Sequence, residues 1–317
     1  MNKKGDFNFV TIFAIVAGIA FLILAISGAS KVTETKKYET NTKITQTFSN
    51  YLNSLEAGFA TSNLGEVDFK QQVDIINYCN YHDDFGDNEF SLRIVKNKQE
   101  NYGASITTSN KYVFSNENLK GEKVFSLSRG FNYPYKISDF IILIPDSDKY
   151  CFEFAPQVVR KSLNALSQNN SLNNFLFENC FDNEDYIQVC EDDSSCDISI
   201  VGKCESCESE YEYGYVEKDG EDYWYISDLV YPAIFSDYDN YECNVNRLIY
   251  RQKTVTELYL EKIKLLNNKG CPTMDETQVE NWKKVVDGIV NVKDLIANYE
   301  AMKDIDKINS GLRCNLW

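Results

Sequence analysis

The chain has almost no histidine: His82 is the only one in 317 residues. That removes most routes to Ser-His-Asp or Cys-His catalysis, and most zinc enzymes. His82 sits in YHDDFGDNE, a polar run that reads as an exposed loop, although one histidine can still act as a base. Cations are also short, with Lys+Arg 32 against Asp+Glu 48 and a net charge of −16. Binding nucleic-acid phosphates needs concentrated Lys and Arg, so no nucleic-acid partner is expected. An acidic balance suits solubility and cation binding instead. No phosphate loop, dinucleotide fingerprint or nucleophile elbow occurs. These gaps point away from an enzyme without excluding one.

What is present is globular: hydrophobic residues make up 43% and charged residues 25%. Tyr 21 and Phe 19 are high, and many fall in alternating runs that read as β-structure. Phe7 to Ser30 contains no charge. Its apolar run from Phe9 to Ala29 matches the roughly 20 residues of a spanning helix. A cleaved secretory signal usually has an apolar stretch of about 7–15 residues. Ser27-Gly28-Ala29 would suit such cleavage, but the longer run favours a retained anchor contacting membrane lipid through residues 7–30. Lys3 and Lys4 precede the run, and Lys31, Lys36 and Lys37 follow it, so charge orients it weakly. The leading segment is too short to be a domain, and all ten cysteines follow the run. Both facts favour a single pass with the N-terminus inside and the main domain extracytoplasmic.

Lys3-Lys4-Gly5, then Asp6 and the apolar run, resembles a class III, type IV prepilin-like leader cut after Gly5. The fifth residue after that cut is Val10, where the bacterial pattern has Glu. The resemblance implies that the apolar run begins a long N-terminal helix and that the subunit self-assembles. The block YPAIFSDYDNYECNVNRLIYR is similar to single-span, cysteine-bearing surface proteins of small-genome archaea, which implies a surface location and no activity.

Residues 31–58 read as an amphipathic helical extension. Ile44, Phe48, Tyr51, Leu52 and Leu55 recur at helical spacing, and Gly58 is a stop. Residues 59–242 read as an α+β domain built on an antiparallel sheet. Val67/Phe69, Val73/Ile75, Ser91–Lys96, Ala104–Thr108, Lys111–Phe114 and Lys123–Ser128 are short strand-like runs. Asp139–Ile144 is apolar on consecutive positions and reads as a central strand, with Lys149–Phe154 returning as its hairpin partner. Pro156 opens a helix whose stripe is Val159, Leu163 and Leu166. Asn169-Asn170-Ser171 is the one glycosylation sequon. Tyr211 to Ser227 reads as a hairpin turning at Asp219-Gly220. Its tyrosine ladder could stack on sugars, but one face of a packed sheet is the commoner use. Residues 243–317 read as an antiparallel helical hairpin. Its first arm, from Val245, carries Leu248, Ile249, Val255, Leu258, Tyr259, Ile263 and Leu266 and ends at Asn268 and Gly270. Its second arm carries a heptad stripe of Trp282, Val285, Ile289, Val292, Ile296 and Tyr299.

The stretch CEDDSSCDISIVGKCESC places Cys190, Cys196, Cys204 and Cys207 close together among acids. Zinc ribbons carry two tight C-x2-C pairs, and here there is one. Zinc and thioredoxin-like chemistry both need thiolates, and like charges nearby raise a thiol pKa. Glu191, Asp192, Asp193, Asp197, Glu205, Glu208 and Glu210 oppose that charge, with Lys203 alone to help. Oxidised sulfur carries no charge, so an acidic surface insert stapled by disulfides is expected. The even set, completed by Cys79, Cys151, Cys180, Cys243, Cys271 and Cys314, fits that reading. A helical hairpin brings its two ends together, which predicts Cys243–Cys314. Cys79–Cys151, both in the β-region, is a second candidate pair, and Cys271 at the hairpin tip would reach elsewhere.

Asp83, Asp84, Asp87 and Glu89 crowd one loop, and Asp237, Asp239 and Glu242 another. Such oxygens are candidate calcium ligands, above all Asp83, Asp84, Asp87, Asp237 and Asp239. Neither cluster has EF-hand spacing, and a solvated acidic turn is the plainer reading. Calcium is therefore the one cofactor to test, and none is required. The expectation is an anchored extracytoplasmic α+β protein with a structural or binding role, pilin-like, whose partner would be a second copy or another surface protein. The alternative is an extracytoplasmic hydrolase using paired carboxylates. A cytoplasmic zinc protein comes third.

Overall fold

The computed structural model describes residues 27, 31, 33, 35–53, 55, 64–82, 84–95, 102–170, 174–180, 185–203, 213–271 and 273–317. Gly5, the apolar segment apart from Ser27, Gly58, Asp83, Ser171, Cys204, Cys207, Tyr211 and Pro272 lie outside the described residues. Among the described residues no helix is long and apolar enough to cross a membrane. The fold is α+β with two six-stranded mixed sheets and disulfides.

Helix α1 (35–53) docks on the first sheet through Asn41, Thr45, Phe48 and Leu52, which are buried at helical spacing. Ile44, Tyr51 and Leu55 pack at the margin of the same cluster, as the stripe predicts. That sheet contains β1 (Leu64–Asn80), β2 (Asp87–Ile94), β3 (Ile106–Thr108), β4 (Val113–Phe114), β5 (Asn118–Asn132) and β6 (Lys136–Pro145), in the order β3-β2-β1-β5-β6-β4. β3 pairs with β2 only between Asn88 and Phe90, which leaves the outer edge of β2 open beyond that point. Helix α1 closes it: Leu92 N donates to Thr45 Oγ1 (3.3 Å) and Ile94 N to Asn41 Oδ1 (3.2 Å). An exposed strand edge is a template for aggregation, so this cover has a physical use. Gly103 passes against α1 so closely that a Cβ would lie 2.4 Å from Thr42 N.

Phe140, Ile141, Ile142, Leu143 and Ile144 are all buried, and β6 is a central strand as expected. The expected hairpin with the next strand does not form. Asp146 N donates to Lys123 O on β5 (3.0 Å), and the chain then crosses to the second sheet. That sheet holds β7 (Tyr150–Phe154), β8 (Phe175–Leu176), β9 (Ile187–Glu191), β10 (Ile198–Lys203), β11 (Tyr213–Lys218) and β12 (Glu221–Ile226), in the order β12-β11-β10-β9-β7-β8. It is parallel from β10 to β8, which corrects the antiparallel expectation. Helix α2 (Gln157–Asn170) follows Pro156 and buries Val159 and Leu163, with Leu166 packed beside them. The β11–β12 hairpin turns at Asp219 (φ +56°) and Gly220 (φ +81°), the positive-φ pair that matches strand twist.

A buried turn (Ser227–Leu229) and α3 (Val230–Phe235) lead into α4 (Tyr238–Asn268). Helix α4 begins earlier than the expected Cys243 because Asp237 caps it, accepting from Asn240 N (2.9 Å). It ends at Asn268, with Gly270 at φ +75°, as the stop signals predict. Leu258, expected in its buried stripe, is 62% exposed. The expected second arm is three helices: α5 (Glu276–Asp287), α6 (Val292–Ala297) and α7 (Tyr299–Ser310). All six stripe residues are buried or packed against the core, yet the helix breaks among them. Gly288 ends α5, and Asn291 starts α6 with a capping box shared with Asp294. Periodicity runs through the break because both segments face the same core.

Candidate functional site

Eight cysteines pair as Cys79–Cys243, Cys151–Cys180, Cys190–Cys196 and Cys271–Cys314, with Cα separations of 6.1, 5.7, 6.0 and 6.2 Å. Among the described residues no cysteine is free. Disulfides in this number are the mark of an extracytoplasmic domain. The predicted Cys243–Cys314 pair is wrong, and helix length is the reason. Helix α4 has 31 residues and so runs about 46 Å, with Cys243 in its first turns and Cys271 beyond its end. Helix α5 returns, and Asn291, Val292 and Lys293 arrive beside Tyr238, Tyr241 and Val245 at the start of α4. Helix α7 then turns back and carries Cys314 to Cys271. Cys79–Cys151 fails because Cys79 ends β1 in one sheet and Cys151 lies on β7 in the other.

As far as residue 203, the acidic cysteine stretch is not a surface insert. Val189, Cys190, Ile198 and Ile200 are buried, and β9 and β10 are interior parallel strands. Only Val189–Glu191 pairs with Ile198–Ile200, so the chain between them need return only a few residues' length. The Cys190–Cys196 bond closes that return. Asp192 and Asp193 project from the turn as exposed residues, as acids at a bend should.

Three of the described calcium candidates are committed elsewhere. Asp237 Oδ1 caps α4, and its Oδ2 accepts from Glu117 N. Asp84 Oδ1 accepts from Gly86 N (2.8 Å), and Asp87 Oδ1 from Asn80 Nδ2 (3.1 Å). Asp239 is exposed in the first turn of α4, where it favours the helix dipole. Among the described residues no three His, Cys, Asp or Glu side chains converge to hold a metal. The loop does hold a cation, and it is Arg247. Its guanidinium donates to Phe85 O (2.8 Å), Gly86 O (3.3 Å), Ser109 O (3.3 Å), Lys111 O (3.0 Å), Asn244 Oδ1 (2.8 Å) and Asn88 Oδ1. Gly86 makes this approach possible: its φ is +54°, and a Cβ there would lie 3.0 Å from Arg247 Cδ. Burial pulls Arg247 down to about 10, while Tyr112, Asp87 and Asp84 favour its charge, so it is a cation throughout the neutral range. Asn77, Asn88, Asn240 and Asn244 complete a polar interior around Val113 and Ser115. His82, the lone histidine, is exposed in the same loop.

No family model, no curated protein and no solved structure matches this chain. The site must therefore be read from its clefts.

The first cleft, about 210 Å³, is lined by Trp224, Tyr223, Tyr238, Tyr241 and Glu242. This is where the tyrosine ladder resolves. Tyr223 and Tyr225 are core residues, whereas Tyr215 and Trp224 lie on the opposite face with ring centroids 5.1 Å apart. Lys293 sits 4.8 Å over the Trp224 ring, so protein already occupies much of its stacking surface.

A second cleft, about 370 Å³, brings Asp185, Asp197 and Asp219 around Lys218. Lys218 Nζ donates to Ile234 O (3.2 Å) and Ser236 O, and lies 4.6 Å over the Tyr223 ring. Desolvation pulls it down to about 8, against the attraction of Asp219, Asp237 and Asp148. Burial pushes the Asp148 carboxyl up, and a hydrogen bond from Ser147 partly offsets it. Asp197 is spoken for, since its Oδ2 accepts from Gln188 N (2.8 Å). Helix α3 ends at the carbonyls that Lys218 binds, which makes this lysine a brace for that end.

The third cleft is the largest of the three, about 510 Å³. Lys111, Lys136 and Arg251 line it together with Asn110, Tyr112, Ser138 and Asp139. Tyr112, Ile137 and Ile141 close its floor and are almost fully buried. Arg251 Nε donates to Ile137 O (2.9 Å), which fixes the guanidinium at the cleft wall. Lys136 Nζ pairs with Asp139 Oδ2 at 2.8 Å. Arg247 lies behind Tyr112, 4.9 Å from the ring. None of these residues stood out in the sequence. The available signal was Arg247 and Arg251 one helical turn apart in an acid-rich chain.

Proposed function

We propose that the chain is a membrane-anchored extracytoplasmic protein with a structural or binding role at the cell surface, of a pilin-like kind. The observation that carries this reading is the spread of four disulfides over both sheets and the helical region, behind the uncharged Phe7–Ser30 segment. The helical residues 35–53, docked through Phe48 and Leu52, support the long N-terminal helix that the leader resemblance implies. The test is the intact mass of the native, membrane-extracted protein before and after reduction. All ten cysteines should be oxidised, the apolar segment retained and, for a pilin-like subunit, the chain should begin at Asp6. Ten free thiols would overturn the surface placement. A full-length leader, with no subunit in sheared filaments, would remove the pilin-like reading. The hydrolase alternative would use the cleft of Asp185, Asp197 and Asp219, where burial holds the neighbouring Asp148 carboxyl above its ordinary range. It requires that Asp219→Asn abolish hydrolysis of surface glycans.

A further inference from the structure

We propose that the cleft between β12, α4 and the start of α6 binds a small organic cation, an ammonium group on an apolar body, against Trp224, Tyr238 and Glu242. The walls are the first argument. Strand alternation turns Asp222 and Trp224 outward, while Tyr223 and Tyr225 enter the core. Tyr238 and Glu242 stand one helical turn apart on α4 and line the same cleft. Tyr223 and Tyr238 meet edge to edge-on face, with ring centroids 5.3 Å apart, which holds the wall in place. Ring faces attract cations through their quadrupole, and quaternary ammonium groups are the ligands that use this most.

A cation already seated there is the second argument. Lys293 Nζ lies 4.8 Å over the Trp224 ring, and it has no carboxylate partner among the described residues. The ring is therefore what holds it. Lys293 is exposed, so its ammonium can return to water and yield the ring to a ligand. Charge is the third argument. Asp222 and Glu242 line the cleft, and neither has an ion-pair partner among the described residues. Two carboxylates against Lys293 leave one negative charge, which a monocation matches. The same field acts on the Tyr238 hydroxyl, whose pKa is raised by burial and then by Glu242, Glu221, Asp239 and Asp222. Size is the fourth argument. About 210 Å³ exceeds a bare ion and falls short of the roughly 300–1,000 Å³ of drug-sized pockets, which fits a head group. An inorganic cation is the poorer match, since among the described residues no three ligating side chains converge. The cleft stands whether or not the anchor and leader readings hold, because all its residues lie between Asp222 and Lys293.

The test is calorimetric titration of the oxidised full chain in neutral detergent with choline, neohexyl alcohol (its uncharged carbon isostere), phosphocholine and methyl glucoside. Choline should bind saturably, at least tenfold more tightly than neohexyl alcohol, and more weakly as salt rises. Phosphocholine should bind more weakly than choline, because its phosphate meets Asp222 and Glu242, which marks a free solute rather than a lipid head group. Trp224→Leu should weaken choline binding tenfold or more, and Trp224→Phe should restore part of the loss. Glu242→Gln should weaken it severalfold. Lys293→Gln should tighten it, by removing the competing ammonium from the ring. Glu242 and Lys293 are exposed, so their variants test the site even where Trp224→Leu fails to fold. The proposal is overturned if choline does not bind saturably, if neohexyl alcohol binds as tightly, or if phosphocholine or methyl glucoside binds more tightly. It is also overturned if Glu242→Gln and Lys293→Gln both leave the affinity unchanged.

Discussion

Arg247 and Arg251 stand four residues apart on α4, yet the regions around them differ in kind. Arg247 is enclosed by oxygens from Phe85, Gly86, Asn88, Ser109, Lys111 and Asn244. The Cys79–Cys243 bond clamps β1 to the same end of the helix. Arg251 meets one backbone carbonyl, the Tyr112 hydroxyl and an open cleft. The difference lies in how many acceptors the neighbouring chain delivers. Where loop carbonyls converge, the guanidinium becomes structure. Where they do not, it keeps donors for something else.

That contrast can be broken by mutation. Arg247→Met should cost the most, about 3–5 kcal/mol, because it strands buried carbonyl and amide groups that a thioether cannot satisfy. Urea unfolding measures it, and a loss below about 1 kcal/mol would mean that the cage contributes little. Cys79→Ser with Cys243→Ser should follow, at about 2–4 kcal/mol, since the bond closes a loop across 164 residues. Unchanged stability of the double variant would show that α4 is held by its hydrogen bonds alone.

Lys218 lies between the two arginines in character, being satisfied by carbonyls yet pulled down to about 8. Its ordinary value is 10.5, so between these values the unfolded chain binds more protons than the folded one. Stability should therefore rise by roughly 2 kcal/mol from pH 8 to 9.5, and Lys218→Met should abolish the rise. Above pH about 10 the trend should reverse, as tyrosines that burial keeps neutral, such as Tyr150 and Tyr241, ionise only when unfolded. A pH-independent wild type would contradict the enclosed ammonium. Arg251→Gln should have the smallest effect, about 1 kcal/mol, since only a carbonyl contact and a hydroxyl contact are lost. A loss as large as that at Arg247 would make both arginines structural and erase the contrast.

Legibility followed the range of each interaction. The central strand β6, the Asp219-Gly220 turn, the docking stripe of α1 and the stop at Asn268 were readable, because neighbouring residues set each of them. The heptad from Trp282 to Tyr299 misleads, because three successive helices facing one core keep the spacing of a single helix. The parallel strands β9 and β10 read as an insert in the sequence, because the acids around the turn between them outweigh Val189, Ile198 and Ile200 in the pattern. The acidic loop at Asp84 and Asp87 reads as a calcium candidate or a solvated turn, and neither reading foresees an arginine against the loop's carbonyls. Its partner, Arg247, lies about 160 residues away, beyond any local signal.

The sequence by itself determined the local chemistry: an acidic chain nearly without histidine, cysteines whose acid neighbours favour oxidation, and turns and caps written into adjacent residues. Backbone preferences and charge act over a few residues, so they survive without a fold. The tertiary structure alone decided which cysteines meet, which acids become caps and which arginine stays open. Those outcomes depend on helix length, on sheet order and on loops delivered from distant parts of the chain. No residue's own type carries that information.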